Sequence, residues 1–136
     1  MTNIKWVDIK NCADSRGTLI VAEGQKNIPF EIKRVYCLYK MPGEPRGFHA
    51  HKNLRQVMVC LAGKCNITLD DGVIRESVEI SVDAPGLLID NFIWREMSDF
   101  SPDCVLMVLA SQWYDENDYI RNYDEFKKFA KEVYTK

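Results

Sequence analysis

A chain of 136 residues, 46% hydrophobic and 28% charged, lies within the globular range and predicts one domain, with no sign of disorder or fibrous repeats. Its 18 Lys and Arg against 20 Asp and Glu leave a formal charge of -2, which provides no basic field and excludes nucleic acid as an expected partner. Met1 to Trp6 has no apolar stretch behind basic residues, and nowhere do ~18 apolar residues run together, so neither secretion nor membrane insertion is expected.

In chain order, Thr18 to Ala22, Glu31 to Lys40, Arg55 to Leu61, Lys64 to Leu69, Ser77 to Ser81 and Cys104 to Ser111 read as β-strands. Gly63, Asp71-Gly72, Asp83 to Gly86 and Ser101 to Asp103 punctuate them. Asp70-Asp71-Gly72 predicts a tight hairpin over 64–81, with positive φ at both central residues of the turn. After Ser111 the period changes. Asp115 to Asp118 offers a helix cap and an acidic first turn, and Ile120, Tyr123, Phe126, Phe129, Ala130 and Val133 follow at helical spacing. The expectation is a single domain over 1–136, with a β unit at about 14–111 and an amphipathic helix packed on it at about 116–134.

Cys12, Cys37, Cys60, Cys65 and Cys104 are odd in number and lack C-x-x-C spacing, so neither a disulfide framework nor a zinc site is expected. Cys37, Cys60 and Cys104 lie in apolar runs, where a free thiol is expected to act as a small buried hydrophobe. Free thiols place the chain in a reducing cytoplasm.

The chemistry-bearing segment is Arg46-Gly47-Phe48-His49-Ala50-His51. Side chains alternate along a strand, so His49 and His51 face one way while Phe48 and Ala50 face the other. They are the only histidines in the chain, and Pro45-Arg46-Gly47 suggests a bend that presents the strand start at an opening. By itself an H-x-H strand is as readily a pair of satisfied polar residues. With Gln56 and Gly63, however, the segment resembles the first cupin motif, glutamine standing where glutamate is usual. That resemblance, covering roughly Asp14 to Ser111, implies an all-β double-stranded β-helix, a jelly-roll barrel around a central pocket. In the cupin pattern two histidines, the carboxylate and a histidine of a second motif hold a divalent metal. Here Gln56 carries no charge and the second motif reads Trp94-Arg95-Glu96, so an obligate cation takes a ligand position and no metal is expected. Two imidazoles titrating near neutrality suit proton transfer on a bound anion instead.

Further strings narrow the likeness: Asp14-Ser15-Arg16-Gly17, Ile32 to Tyr36, Pro45 to Lys52, Trp94 to Met97, Val108 to Ser111, Tyr114 to Glu116 and Asp118 to Asp124. In that order they resemble the dTDP-4-keto-6-deoxyglucose 3,4-ketoisomerases, bacterial enzymes supplying 3-amino-3,6-dideoxysugars for lipopolysaccharide or S-layer glycans. The resemblance implies a homodimer, no cofactor, a dTDP-linked ketosugar as substrate, and a carbonyl moved from C4 to C3 through an enediol. Carried over by position, His49 is the base toward carbon, His51 handles proton traffic beside it, and Tyr36 orients or assists them. Arg16, Arg34, Arg46 and Arg95 are the candidate substrate-binding cations, together with Gln56, whereas Arg121 reads as a solvated surface charge. Trp94 either stacks on the ligand or fills the barrel mouth. Galacto-forming members are expected to pair arginine at position 16 with histidine at position 95, and gluco-forming members tyrosine with arginine; this chain combines Arg16 with Arg95. With no histidine at 95, His49 and His51 return the proton to the face it left, which favours the gluco product. The alternatives are a dTDP-sugar C3/C5 epimerase and a cupin that binds nucleotide-sugars without turnover.

Overall fold

The structure, a computed structural model, describes residues 2–9 and 12–134. Twelve strands and one helix follow in order: β1 (Lys5–Val7), β2 (Cys12–Asp14), β3 (Gly17–Leu19), β4 (Arg34–Leu38), β5 (Arg46–His51), β6 (Gln56–Ala62), β7 (Lys64–Asp70), β8 (Arg75–Ser81), β9 (Gly86–Ile89), β10 (Trp94–Ser98), β11 (Val105–Ala110), β12 (Tyr119–Ile120) and α1 (Tyr123–Tyr134). One antiparallel sheet has the order β1-β9-β6-β11-β4, a second β12-β5-β10-β7-β8, and β2-β3 form a separate hairpin. This is the all-β jelly roll that the cupin-like motif implies.

The main core lies between the two sheets. Met58, Leu87, Ile89, Leu106 and Val108 of the first sheet meet Ile67, Leu69, Ile80 and Met97 of the second. β6 is central and covered on both sides, which is why Gln56 to Cys60 is continuously buried and the strand reads as an unbroken apolar run. Edge strand β4 alternates instead, with Val35 and Cys37 facing out and Tyr36 and Leu38 facing in. The expectation of a buried Cys37 is therefore corrected: it falls on the outward register of an edge strand, while Cys60, Cys65 and Cys104 are the buried thiols.

Two turn-level expectations are also corrected. In the β7-β8 hairpin Asp70 pairs with Arg75, so the loop holds four residues instead of two. Only Gly72 has positive φ, at 96°, because the Asp71 carboxylate accepts the Val73 and Ile74 N–H groups at 2.8 Å each and settles the chain into a longer turn. At the C-terminal end Asp115 caps a single 3-10 turn, Glu116–Asp118, and not the expected helix. The chain then extends so that Tyr119 pairs with His51 and Ile120 with Ala50. The helix begins at Tyr123, where Asn122 Oδ1 accepts the Glu125 N–H at 3.0 Å. Its Phe126 and Ala130 pack on Ala50, Trp94 and Ile120, the outer face of the second sheet.

The start of β5 is bent by a bulge. Arg95 pairs with His49 and Glu96 with Gly47, leaving Phe48 without an opposite residue. Gly47 has φ 94° and Phe48 φ 58°. Position 47 requires glycine twice over, since a Cβ there would lie 2.9 Å from the Arg95 carbonyl oxygen.

Candidate active site

β4 ends one sheet, and β5 with β12 ends the other on the same side, so a cleft opens between the two edges. Its volume is about 460 Å³, within the usual range for a small-molecule site, and Arg34, Tyr36, Arg46, His49, Tyr119 and Arg121 line it. The strand alternation behaves as expected: the His49 and His51 rings meet edge to face at 4.9 Å, while Ala50 turns to the other side of the sheet. Tyr119 lies against both, 5.0 Å from the His49 ring and 4.3 Å from the His51 ring.

Hydrogen-bond partners set both tautomers. His49 Nδ1 lies 3.1 Å from the Gly47 carbonyl, which only accepts, so Nδ1 carries the proton and Nε2 offers a lone pair. His51 Nδ1 donates at 3.1 Å to Asp118, whose carboxylate also accepts the Asn53 and Leu54 N–H groups at 2.8 and 3.2 Å. His51 Nε2 is buried and has no hydrogen-bond partner among the described residues. Burial and then the Arg95 cation push His49 down to about 4, and the same two causes push His51 down to about 2. At neutral pH the pair is uncharged.

This carries a pH prediction. If His49 acts as a neutral base, kcat/KM stays level from pH 8 to about 5 and falls as the imidazole protonates near 4. An inflection near the free-imidazole value of ~6.5 would contradict it. The folded imidazole's value is below the unfolded one, so between ~6.5 and 4 the unfolded chain binds more protons. Stability is therefore complete above ~6.5 and is lost as pH falls through that window, readable as a declining Tm.

Arg95 lies beneath this pair, 1% exposed, donating to Gln56 Oε1 and, at 3.0 Å, to the Ile93 carbonyl. Its Nε has no hydrogen-bond partner among the described residues, and burial lowers the guanidinium to about 10, which leaves it a cation at neutral pH. A buried charge without a hydrogen-bonded carboxylate is costly and seeks an anion. Arg34 lies over the Tyr36 and Tyr114 rings at 5.3 and 5.7 Å, with its own Nε buried and without a hydrogen-bond partner among the described residues. Arg121, expected as a surface charge, in fact lines the cleft, its guanidinium 4.1 Å from the Tyr119 ring and paired with both Glu116 oxygens.

Three expected site residues lie elsewhere. Arg16 projects from the exposed β2-β3 hairpin and pairs with Asp14 at 2.7 Å, away from the cleft of its own chain. Trp94 neither stacks in the cleft nor fills its mouth. It alternates with the inward Arg95, packs against Tyr123 and Phe126, and donates to Glu96 at 2.9 Å. Gln56 is one layer behind the cleft wall, with both ends of its amide engaged by Arg95 and Tyr36. Conversely, Asp118 and Tyr119 are site residues that sequence reasoning missed. They lay inside the stretch read as helix, and only the pairing of β12 with β5 brings them to the histidines. Among the described residues no group of three His, Cys, Asp or Glu is placed to hold a metal ion.

The model of the family described as FdtA: WxcM-like, C-terminal matches residues 2–131. A protein of Aneurinibacillus thermoaerophilus named TDP-4-oxo-6-deoxy-alpha-D-glucose-3,4-oxoisomerase is 54% identical over 130 residues, covering 95% of this chain and 94% of that one. Among solved structures, a double-mutant form of the QdtA 3,4-ketoisomerase of Thermoanaerobacterium thermosaccharolyticum in complex with TDP superposes with a TM-score of 0.95 at 43% identity, covering 100% of this chain and 99% of that one. Another mutant of the same enzyme, in complex with TDP-4-keto-6-deoxyglucose, gives 0.94 at 42% with the same coverage. The WlaRB TDP-quinovose 3,4-ketoisomerase of Campylobacter jejuni gives 0.88 at 46%, covering 94% of this chain and 99% of that one.

Proposed function

The chain belongs to the FdtA, WxcM-like family and is an isomerase, a TDP-sugar 3,4-ketoisomerase, and on that premise we propose that it converts dTDP-4-keto-6-deoxy-D-glucose to dTDP-3-keto-6-deoxy-D-glucose by proton transfers on His49 and His51. The observation that carries this reading is the His49 Nε2 lone pair in a cleft walled by cations, held there by the Nδ1 bond to Gly47. His49 takes the C3 proton, which is acidic beside the C4 ketone; the electron pair forms the C3–C4 double bond and O4 becomes the enediolate oxygen. The Tyr36 hydroxyl and Arg46 donate to that oxygen, and the buried Arg95 charge stabilises it. A proton is then delivered to C4, the O3 hydroxyl proton passes to O4, and the carbonyl is left at C3. His51, held by Asp118, relays protons beside His49. Arg34, Arg46 and Arg121 suit the pyrophosphate, because guanidinium forks match phosphate oxygens.

H3 of the ketosugar and H4 of the gluco product lie on opposite faces of the ring. The same-face return expected from the sequence would therefore give the galacto sugar, and the gluco product requires C4 to be protonated from the other face. Arg95, the residue that gluco-forming members are expected to carry at this position, supports the gluco choice. Quinovose is 6-deoxyglucose, so the 46% identity to a TDP-quinovose ketoisomerase supports the same choice. We place the enzyme in the cytoplasm as one domain supplying 3-amino-3,6-dideoxysugars, a setting supported by its free thiols, which should react quantitatively once protein isolated without reductant is denatured. It works as a homodimer in this reading: Leu19 and Val35 expose apolar surface on the β2-β3 hairpin and the β4 edge, and Arg16 then contacts substrate only in another copy's cleft. Light scattering should return twice the chain mass; a monomer that is fully active would remove Arg16 from the site.

The deciding experiment incubates the protein with dTDP-4-keto-6-deoxyglucose, with and without a chelator, and follows the product by NMR. Chelator-resistant conversion to a 3-keto sugar is expected. After trapping by an aminotransferase, a large H3–H4 coupling marks the gluco product and a small one overturns it. Deuterium entering C5 without movement of the carbonyl would instead indicate epimerisation.

A further inference from the structure

Gln56 stands where the metal-holding motif has a carboxylate, and it does not line the cleft. It lies on β6 of the first sheet, 2% exposed, and its amide bridges Arg95 of the second sheet and Tyr36 of β4. The chemistry of the three groups leaves one arrangement. A guanidinium has donors only, so the Gln56 oxygen must face Arg95. The amide nitrogen must then face Tyr36, and an NH₂ group only donates, so the Tyr36 oxygen accepts at 2.9 Å. The phenolic proton is thereby barred from pointing back into the protein, and among the described residues no acceptor takes it. Tyr36 lines the cleft, which is where that proton is directed.

We propose that Gln56 is a positioning residue that holds the Tyr36 hydroxyl as a hydrogen-bond donor toward the sugar oxygen, the direction of the whole chain being set by the Arg95 cation. Glutamate, nearly the same shape, reverses this polarity. Its carboxylate accepts from Arg95 and from Tyr36 alike, turns the phenolic proton inward and presents an oxygen lone pair to the substrate's own oxygen. Two further features agree. Burial raises Tyr36 above the ordinary phenol value, so it stays protonated and able to donate. The cation at the far end polarises the amide and strengthens each donor along the row.

The inference rests on the reading of Tyr36 as a donor to the enediolate, and the test separates the two. Y36F, Q56E and Q56E/Y36F are assayed with dTDP-4-keto-6-deoxyglucose, and dTDP binding and Tm are recorded for each. Y36F is expected to lower kcat ~100-fold, the usual effect of deleting one oxyanion donor. Q56E should lower kcat by a similar ~100-fold with KM and dTDP affinity within about threefold, and should cost less than about threefold more in the Y36F background. Should Q56E fail to fold, Q56M removes the same donor, and its loss of kcat is likewise expected to vanish in the Y36F background. A glutamate variant with near wild-type kcat, or losses that multiply independently, overturns the role of Gln56 while leaving Tyr36 in place. A fully active Y36F removes the Tyr36 donor itself, and this inference with it, while the isomerase assignment stands.

Discussion

Replacing His49 with asparagine is expected to lower kcat by ~10² to 10⁴-fold while dTDP remains bound, the range that a positioned general base contributes. Asparagine preserves most of the local packing, and its amide NH₂ can still donate to the Gly47 carbonyl, but it has no basic lone pair where Nε2 stood. The cations that hold the nucleotide are untouched, so affinity for dTDP should move less than about threefold, which is small beside the tenfold that accompanies ~1.4 kcal/mol. Exchange of the C3 hydrogen with solvent deuterium is the sharper measurement, because it reports the first proton transfer even when no product accumulates. Exchange at an undiminished rate in His49→Asn would transfer the base assignment to His51, whose buried Nε2 is also unprotonated in this arrangement.

Asp118→Asn should be nearly as damaging, for a different reason. The carboxylate accepts three hydrogen bonds, one from His51 and two from the backbone at Asn53 and Leu54. An amide in its place has one oxygen for those three donors, so at least one of them loses its partner, at a cost of ~1–3 kcal/mol in stability where the group left is buried. If the NH₂ end turns to His51, the imidazole must shift its proton to Nε2 to avoid a clash of donors, and the relay lone pair is lost. The expected result is a ~100-fold fall in kcat, comparable to other general acid–base losses, together with a lower Tm. Nitrogen NMR of the labelled imidazole separates the two effects: the signature of a protonated Nδ1 should give way to that of a protonated Nε2. A swapped tautomer with unchanged kcat would show that His51 carries no proton during turnover.

Much of this architecture is written in local pattern. The alternation of His49 and His51 on one face, the strand-rich run from Thr18 to Ser111 and the hairpin over 64–81 all follow from a side-chain period of two and from turn chemistry. The missed features are those decided by a partner strand. Tyr119 and Ile120 suit a helix by spacing, yet they satisfy backbone groups of β5 and extend. Trp94 and Arg95 are adjacent in sequence, and which one faces the cleft depends on the register of β10 against β5, displaced by the bulge at Phe48. Cys37 fits the apolar run around it but lands on the outer side of an edge strand. Asp118 falls in a string that carries the family resemblance but gives no sign of its role, because a carboxylate in an acidic stretch looks like solvent-facing charge until the fold buries it to 7% exposure.

β12, only two residues long, holds a disproportionate share of the contacts around the histidines. It follows every other strand in the chain, and it and the 3-10 turn before it carry the carboxylate that orients His51 and the ring that packs on both imidazoles. The core between the two sheets contains no residue of β12 or α1, so the contacts that hold the histidines are separate from those that hold the sheets together. Only when Asp118 to Ile120 add to β5, secured from behind by α1, do the imidazoles acquire their working arrangement. The arrangement of the two imidazoles therefore depends on a two-residue edge strand that α1 covers through Phe126 and Ala130.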